Sequence, residues 1–503
     1  MLRAVRVTAH SPASSLRPPL AAGPDAAKAL LSPRQWLLAL VIYLGAQMLV
    51  RLWAGEALER DESEQVLWAQ QLALGFGTQP PLYTWLQRAV FELVGVSVLG
   101  LTLLKHGLLA LTYLFTFAAA RTLMPGPLAA LAAASMLLLP QISVDSHRDL
   151  THVVLCTTTT AATWWAVLAL RRRPTLWGYA ALGLAVGLGM LSKYSYAVVA
   201  LALLLALATA ADTRSLLLHR GMVLALAVAA LVVAPHALWL LSNLPQATGG
   251  TLAKMGATSG LPWIEKLRLG FGELIVSTVW FLTPLWIVLA ALFARGRSRE
   301  GSVPGPACGL MRRYLAAIAA LLLALVLAGA LTQVKGRWLQ PFLVVAPLAF
   351  FACAPQLRHH PRLAALQRVL LVWAVLMVVL MTVRMPFNGW RGRTEVMHVP
   401  VRTLAQALRD AGYDGRPIVA TRNTLGGALR VQFAPARVVV VGLRDEPLPD
   451  AALWIGQGEG PGALAAIERA AGRSAAAPQS IALRPVHAPA SAAPLHFTFS
   501  LQP

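Results

Sequence analysis

Two adjacent carboxylates, Asp61 and Glu62, follow the first long apolar segment of the chain within a few residues. They open the stretch 60–86, which reads RDESEQVLWAQQLALGFGTQPPLYTWL. Charged side chains beside hydrocarbon are costly, so this pair indicates chemistry or a structural clamp. An exposed carboxylate at the mouth of a membrane cavity could deprotonate an acceptor hydroxyl or amine as a general base. The alternative is helix capping by Asp61 or Ser63. Residue type alone leaves both interpretations open.

A second polar group lies at a short junction between two apolar segments. It consists of Asp145, His147, Arg148, Asp149 and His152. Histidines and carboxylates are metal ligands, but this spacing matches no metal motif. A hydrogen-bonded pair between the arginine and a carboxylate is the favoured interpretation. Asp149 is also a candidate for a second active-site acid.

Basic residues interrupt two further apolar regions. Lys193 and Tyr194 lie in the run MLSKYSY, and Lys335 and Arg337 lie in VKGRWLQP. Lys193 could pair with a carboxylate or bind an anion, or its amine could extend to the membrane surface. The other two cations could bind a lipid-linked phosphate, with bidentate contacts from arginine, or attract lipid headgroups. These four residues and Gln79 are the predicted substrate-binding residues.

The composition indicates which elements must position these side chains. Of 503 residues, 57% are hydrophobic and 13% are charged, about half the charged fraction of soluble domains, which is roughly 25%. Many apolar runs approach the length of about 20 residues that crosses a bilayer. The sequence therefore predicts an all-α polytopic membrane protein with about eleven transmembrane helices. The predicted spans are residues 35–53, 98–120, 127–143, 150–170, 175–191, 195–211, 221–241, 272–294, 314–331, 338–355 and 364–384.

The net charge of +22 does not indicate nucleic-acid binding, because the arginines cluster between apolar segments. Such clusters hold loops on the cytoplasmic face. The layout places residues 1–33 in the cytoplasm as a disordered tail and 34–386 in the membrane. It places the first loop, 54–97, on the outer, periplasmic face of the membrane, together with the other candidate residues named above. This convergence predicts a functional site on that face.

The first loop and the C-terminal segment have their own predicted elements. Residues 59–75 and 82–93 read as two interfacial amphipathic helices. Residues 387–503 read as a small soluble α/β domain in the periplasm. Its predicted elements are one helix at 399–411 and strands at 418–421, 428–433, 437–441, 452–455 and 496–501. The three cysteines show no disulfide framework and no metal spacing.

Together these motifs resemble the family 39 membrane glycosyltransferases of the protein-O-mannosyltransferase and aminoarabinose-transferase type, which have the GT-C fold. The matches are the acidic pair after the first span, the continuation WAQQLALG…PPLYTWL, the SKYS junction and KGRWLQP, spread over about residues 35–350. The first motif is fairly specific and the others support it. The C-terminal domain also looks like that of bacterial members, which implies a multi-pass protein of a bacterial inner membrane.

The resemblance implies a glycosyltransferase, hexosyl or pentosyl, that uses a polyprenyl-phosphate sugar. The acceptor is a lipid, a glycan or a protein on the extracytoplasmic side. In this family the aspartate of the first loop is the catalytic base, which corresponds to Asp61, and Glu62 corresponds to the second acid. Lys335 and Arg337 are expected near the donor phosphate. Many relatives have an acid and then His or Lys where this chain has Thr78 and Gln79. The sequence makes no cofactor certain; a divalent metal stays open, and this departure disfavours it.

Two other classes of function remain open. A transporter or flippase of lipid-linked sugars would favour helices broken by Gly or Pro at mid-membrane, whereas the charges here lie at the membrane edge. A non-catalytic scaffold that displays the C-terminal domain leaves the cluster of Asp61, Lys193 and Lys335 without a purpose. A membrane glycosyltransferase with lipid partners and no nucleic acid is the leading prediction.

Overall fold

The structure is a computed structural model that describes residues 30–209, 211–256, 260–294, 305–444 and 446–503. A helical membrane part is followed by a C-terminal part in which helices flank one sheet. Most of the predicted N-terminal tail lies outside the described residues.

The first part of the membrane domain carries the two segments that supply the acidic candidate residues. Its helices are α1 (Pro33–Trp53), α2 (Arg60–Trp68), α3 (Leu82–Val94), α4 (Val98–Arg121), α5 (Gly126–Ala134), α6 (Ser146–Arg148) and α7 (His152–Arg172). The two helices predicted between the first and second spans are confirmed as α2 and α3. The first of them is shorter than predicted, because it ends at Trp68 rather than near residue 75.

The second part of the membrane domain supplies the basic candidate residues. Its described helices are α8 (Leu176–Ser192), α9 (Tyr196–Thr209), α10 (Ala211–Leu218), α11 (Gly221–Ser242), α12 (Leu244–Met255), α13 (Trp263–Phe293), α14 (Pro306–Leu327), α15 (Gly336–Leu343), α16 (Ala346–Cys353) and α17 (Leu363–Trp390). Helices form here because a bilayer offers no water to satisfy backbone groups.

The described residues contain seven helices long and apolar enough to cross a membrane, or up to ten spans if each of three bent helix pairs counts as one. A further apolar helix, α8, has 17 residues. Each of the eleven predicted spans therefore corresponds to a helix or a bent pair. The predicted count is one above the upper limit because α8 is shorter than a full span.

One bent pair positions part of the site. The span that begins with α5 bends by 80° before its second half. Pro140 stands at the bend and cannot donate a backbone hydrogen bond. Residues Gln141–Asp145 then form a π-helical turn, an arrangement that is frequent at functional sites. As a result, Asp149 leaves the broken span beside the beginning of α2.

Close packing of α8 against α11 holds the loop that follows α8. A Cβ atom at Gly183 would lie 2.2 Å from the carbonyl oxygen of Ala225, so glycine is needed for this approach. Small residues at such contacts are typical of membrane helices, because dispersion contacts drive their association. Lys193 and Tyr194 follow directly at the end of α8.

The cysteine pattern predicted no disulfide, and this is wrong for one pair. Cys308, at the start of α14, and Cys353, at the end of α16, form a disulfide. They are 45 residues apart in two different helices, so only tertiary packing brings them together. Cys156 is free and buried.

The C-terminal part is a small α/β domain. Its helices are α18 (Val401–Asp410), α19 (Asn423–Gln432) and α20 (Ala465–Ala471), and its strands are β1 (Ile418–Ala420), β2 (Val438–Val440), β3 (Leu453–Gln457), β4 (Gln479–Leu483) and β5 (Leu495–Leu501). The sheet order is β2-β1-β3-β5-β4. Strand β1 is parallel to β2 and β3, whereas β5 is antiparallel to β3 and β4.

Four of the five predicted strands are confirmed, and the strand at 428–433 is wrong. That segment belongs to helix α19, whose buried residues include Leu425 and Leu429. Apolar residues four apart line one helix face, but a short apolar run does not distinguish helix from strand. Strand β4 and helix α20 were not predicted.

Candidate active site

The two adjacent acids at the start of α2 lie in different environments. Successive residues of a helix point about 100° apart, because one turn holds 3.6 residues. Glu62 is 0% exposed and faces the membrane domain. Asp61 is half-buried and faces the junction where Asp149 leaves the broken span. The sequence prediction treated them as one motif, whereas the structure gives them separate partners.

Glu62 is the centre of a buried ion cluster. Its Oε2 accepts a hydrogen bond from Arg51 Nη2 at 2.7 Å, and its Oε1 accepts one from Lys105 Nζ at 2.9 Å. Although burial acts to raise the pKa of Glu62, these two cations lower it to about 2. The side chain is therefore an ionised link between α1, α2 and α4. This geometry corresponds to the structural clamp considered from the sequence.

Helix capping does not involve Asp61. Glu59 is the N-cap of α2, and Asp61 is the second residue of the helix. Ser63 also lies inside the helix, where its hydroxyl donates to the carbonyl of Glu59 at 2.9 Å. The capping interpretation of Asp61 and Ser63 is therefore wrong. The carboxylate of Asp61 remains available for another role.

Asp149 and Arg337 surround Asp61. Asp149 Oδ1 accepts a hydrogen bond from the backbone N–H of Asp61 at 2.9 Å. Asp149 Oδ2 lies 3.7 Å from Arg337 Nη1. Burial, together with the charges of Asp149 and Glu64, raises the pKa of Asp61 to about 7, against the opposing effect of Arg337 and Lys193. A carboxyl group with a pKa near neutrality is suited to accept a proton at physiological pH.

A cavity of about 280 Å³ is lined at one end by Lys193, one of the two cations that lower the pKa of Asp61. It brings together three predicted substrate-binding residues, namely Gln79, Lys193 and Tyr194. Most of its remaining lining is apolar and comes from α9, α12, α14 and α15; examples are Val198, Leu325 and Phe342. A cationic and polar end that continues into an apolar chamber is suited to a phosphate attached to a hydrocarbon chain.

Two further polar residues of this cavity were not among the predicted substrate-binding residues. Lys254, near the end of α12, and Ser195 both line it. The hydroxyls of Tyr194 and Ser195 are buried without a hydrogen-bond partner among the described residues. Buried polar groups normally have partners, so these hydroxyls indicate a place where a ligand donates or accepts hydrogen bonds.

Lys335 and Arg337, which were both expected near the donor phosphate, lie in different environments. Arg337 faces Asp149, as described above. Lys335 is exposed at the beginning of α15, and its neighbours Val334 and Trp338 line the cavity while Lys335 does not. The structure therefore places Arg337 next to the candidate base, whereas Lys335 is exposed and outside the lining of the cavity.

The polar group at 145–152 is not a compact cluster. Arg148 donates to Glu59 Oε1 at 3.0 Å, so the favoured arginine–carboxylate pair is present with a carboxylate from the first loop. His147 shares hydrogen bonds with Tyr43 at 3.0 Å and His106 at 3.2 Å, inside the membrane domain. Within the described residues, no three His, Cys, Asp or Glu side chains lie close enough to bind a metal ion together.

A further hydrogen bond joins the acidic and basic sides of the site. His152 shares a hydrogen bond of 3.0 Å with Gln65 of α2 and another of 3.2 Å with the carbonyl of Ser192. Ser192 directly precedes Lys193, so this bridge fixes α2 relative to the loop that opens the cavity. Thr84 of α3 donates to the same Gln65 at 2.9 Å.

The C-terminal domain packs directly on the helix that carries Asp61. The side-chain amide of Gln70 donates to the carbonyl of Val438 and accepts from its N–H, both at 2.9 Å. Because β2 is an edge strand, this amide takes the place of a neighbouring strand. A Cβ atom at Gly427 of α19 would lie 2.7 Å from Cα of Ser63. The domain therefore supports α2 along most of its length.

Comparisons with known proteins agree with this architecture. Residues 78–239 match the family model described as dolichyl-phosphate-mannose-protein mannosyltransferase. The chain is 32% identical over 406 residues to the lipopolysaccharide core galacturonosyltransferase RgtA of Rhizobium johnstonii, with 80% of this chain and 81% of the relative covered. It is 33% identical over 346 residues to the lipopolysaccharide core galacturonosyltransferase RgtB of the same organism, with 68% and 70% covered.

The fold is also similar to that of a solved membrane enzyme. The crystal structure of ArnT from Cupriavidus metallidurans bound to undecaprenyl phosphate matches with a TM-score of 0.60 at 13% identity, covering 93% of this chain and 98% of that chain. The helical architecture with its small C-terminal sheet is therefore of the GT-C fold class. Together with the sequence relatives and the apolar helices, it defines a multi-pass inner-membrane glycosyltransferase. The chain belongs to the family 39-like GT-C glycosyltransferases, as its motifs predicted.

Proposed function

We propose that this enzyme transfers a sugar from a polyprenyl-phosphate carrier to a hydroxyl group of a cell-envelope saccharide. The observation that carries this proposal is the position of Asp61. Its carboxyl group has a raised pKa and lies next to Asp149. The charge of Lys193, which lines the basic end of the apolar chamber, acts on the same carboxyl group. Acid–base chemistry and the binding of an amphipathic phosphate are thus supported at one place.

The cavity supports a lipid phosphate as the donor. Lys193 and Lys254 supply positive charge, and the hydroxyls of Tyr194 and Ser195 are free to hydrogen-bond. Preorganised cations stabilise the negative charge that develops on a departing phosphate. The apolar lining would bury the first isoprene units of the carrier. The undecaprenyl phosphate in the related ArnT structure is a ligand of this kind.

The proposed reaction is a displacement at the anomeric carbon of the donor sugar. The acceptor oxygen forms a bond to this carbon while its proton passes to the carboxylate of Asp61. The bond from the anomeric carbon to the phosphate oxygen breaks, and polyprenyl phosphate leaves with the electron pair. Arg337 and Lys193 are the cations placed to meet that charge. Asp149 positions the base through the backbone of α2, and Glu62 holds the helix in the membrane domain.

The relatives suggest the sugar and the acceptor. RgtA and RgtB are lipopolysaccharide core galacturonosyltransferases by name, and each is more than 30% identical to this chain. We therefore expect a hexuronic acid such as galacturonic acid as the transferred sugar. The expected acceptor is the core saccharide of a lipopolysaccharide on the outer face of the inner membrane.

The test is the transfer of labelled galacturonic acid from a polyprenyl-phosphate donor to lipopolysaccharide in membranes that contain the enzyme. Asp61→Asn should reduce transfer by at least about 10²-fold, as expected for loss of a general base. Glu92→Gln is the matched control, because Glu92 is an exposed residue of α3 that pairs with Arg88. Equal transfer by wild type and Asp61→Asn rejects the assigned base. Passage of the donor across the membrane without a covalent product would indicate a transporter.

A further inference from the structure

A second cavity, of about 370 Å³, lies where the end of α2 meets the C-terminal domain. This volume is within the range of ligand pockets, roughly 300–1,000 Å³. The cavity shares no lining residue with the chamber that begins at Lys193. Its polar lining residues are Gln70, Gln71, Arg430, Arg437, Arg444 and Glu446.

Arg430 is the residue that most clearly indicates a ligand. Its Nε and Nη1 atoms are buried and have no hydrogen-bond partner among the described residues. A buried charged group without a partner is costly, whereas an anion with oxygen acceptors would satisfy it. Arg430 comes from α19, the same helix that packs on α2 through Gly427.

The other two arginines hold positions around the same space. Arg437 Nη2 lies 2.7 Å from Glu446 Oε2. Arg444 Nη2 donates to the carbonyl of Trp68 at 3.3 Å, and its guanidinium lies 5.4 Å from the ring centroid of Phe76. The described lining residues therefore include three guanidinium groups and one carboxylate, which gives them a net positive charge.

The location of the cavity relates it to the reaction centre. Leu67, which lines it, follows Asp61 by six residues, or about 9 Å along a helix. Phe76, which Arg444 contacts, pairs through its backbone with Gln79, a residue of the donor chamber. The cavity thus flanks the site of transfer without being part of it.

We propose that this cavity binds an anionic group, a carboxylate or a phosphate, of the acceptor saccharide, set back from the hydroxyl that is glycosylated. The inference rests on the proposed function, which supplies a saccharide acceptor beside Asp61. Guanidinium groups bind both anions through paired hydrogen bonds. The cavity is lined by Leu67 of α2, by Gln70 and Gln71 after that helix, and by the C-terminal domain. A group bound there would therefore contact both the domain and the helix of the predicted base.

The experiment is equilibrium binding by the purified full-length chain in detergent, without a donor. The probes are glucuronate and glucose 6-phosphate, with glucose and inorganic phosphate for comparison. We expect at least one acidic sugar to bind at least tenfold more tightly than glucose and than inorganic phosphate. Arg430→Gln and Arg437→Gln should each weaken this binding at least tenfold. Arg469→Gln, on the exposed surface of α20 and outside the cavity, should bind as wild type does.

Four outcomes overturn the proposal. Acidic sugars that bind no better than glucose, or binding that survives both cavity substitutions, exclude this site. Equal binding of inorganic phosphate and glucose 6-phosphate would define an anion site without a saccharide role. Binding of phosphatidylglycerol micelles that depends on Arg430, without saccharide binding, would assign a lipid headgroup instead.

Measuring both binding and transfer with wild type and Asp61→Asn distinguishes failure of this inference from failure of the proposed function. Asp61→Asn should bind acidic sugars normally while transfer is lost. Binding without any Asp61-dependent transfer would support the cavity and refute the reaction. Asp61-dependent transfer without acidic-sugar binding would support the reaction and refute the proposed role of the cavity.

Discussion

Asp149 Oδ1 accepts a hydrogen bond from the backbone N–H of Asp61 at 2.9 Å. The N–H belongs to the first turn of α2, where a negative charge is favoured by the helix dipole. Asp149 thus fixes the beginning of the helix, and its charge also raises the pKa of the Asp61 carboxyl group. One residue of the broken span therefore both places and tunes the predicted base.

Asp149→Asn should move the acid limb of the pH–rate profile to lower pH. The amide oxygen can still accept the N–H of Asp61, but the like charge is lost, so the pKa of Asp61 falls from its value of about 7. A general base works in its ionised form, so a lower pKa extends activity toward acid. The measurement is kcat/KM for transfer from about pH 5 to about pH 9, a range that extends to both sides of the pKa of Asp61.

The matched control for this change is Asp212→Asn. Asp212 pairs with Arg171 at 2.9 Å on the side predicted to face the cytoplasm, so its loss should leave the profile in place. An acid limb that does not move in Asp149→Asn would contradict the coupling between the two carboxyl groups.

Glu62→Gln should destabilise the fold rather than act on the chemical step. The change leaves Arg51 and Lys105, which are 6% and 1% exposed, without their counter-charge. Removing one partner of a buried ion pair costs about 3–5 kcal/mol. The free energy of unfolding in detergent is the measurement. Glu92→Gln, which breaks an exposed pair, should cost less than about 1 kcal/mol.

The pH dependence of this clamp has a defined sign. Its pKa of about 2 in the folded state lies below the ordinary value of about 4.3. Stability from Glu62 is therefore fully present above about pH 5 and is lost as the pH falls toward 2. The destabilisation by Glu62→Gln should accordingly be equal at neutral and alkaline pH. Normal stability with lost transfer would instead assign Glu62 a chemical role.

Gly427→Ala tests whether the C-terminal domain positions α2. The added Cβ would lie 2.7 Å from Cα and Cβ of Ser63, so one of the two helices must move. Overpacking of this kind costs about 1–3 kcal/mol, more than the gain of up to about 1 kcal/mol in helix propensity. We expect a lower kcat with a smaller change in donor KM. Gly462→Ala, with open space around its Cβ, should be unaffected, and unchanged kcat in both variants would exclude the positioning role.

The membrane-spanning segments could be predicted from the sequence, because the bilayer sets both their length and their hydrophobicity. The sequence also led to Lys193, Tyr194 and Gln79, which the structure brings to one cavity; their role in binding stays a prediction. It could not pair Glu62 with Lys105, because 43 residues separate them and only packing brings α2 against α4. The second cavity, between the end of α2 and the C-terminal domain, could not be predicted either. Residues 428–433 read as a strand, so Arg430 was not placed on a helix facing α2.

Lys193→Met should weaken donor binding and also shift the pH profile in the direction opposite to Asp149→Asn. Lys193 lines the chamber beside two unpartnered hydroxyls, and a hydrogen bond to a charged group contributes about 1.5–3 kcal/mol. We therefore expect the donor KM to rise by about 10- to 150-fold. Because the charge of Lys193 lowers the pKa of Asp61, its removal should move the acid limb to higher pH. Lys266→Met, at the start of α13 and outside the chamber, is the control. A raised KM without the pH shift would mean that Lys193 binds the donor but lies too far from Asp61 to influence the base.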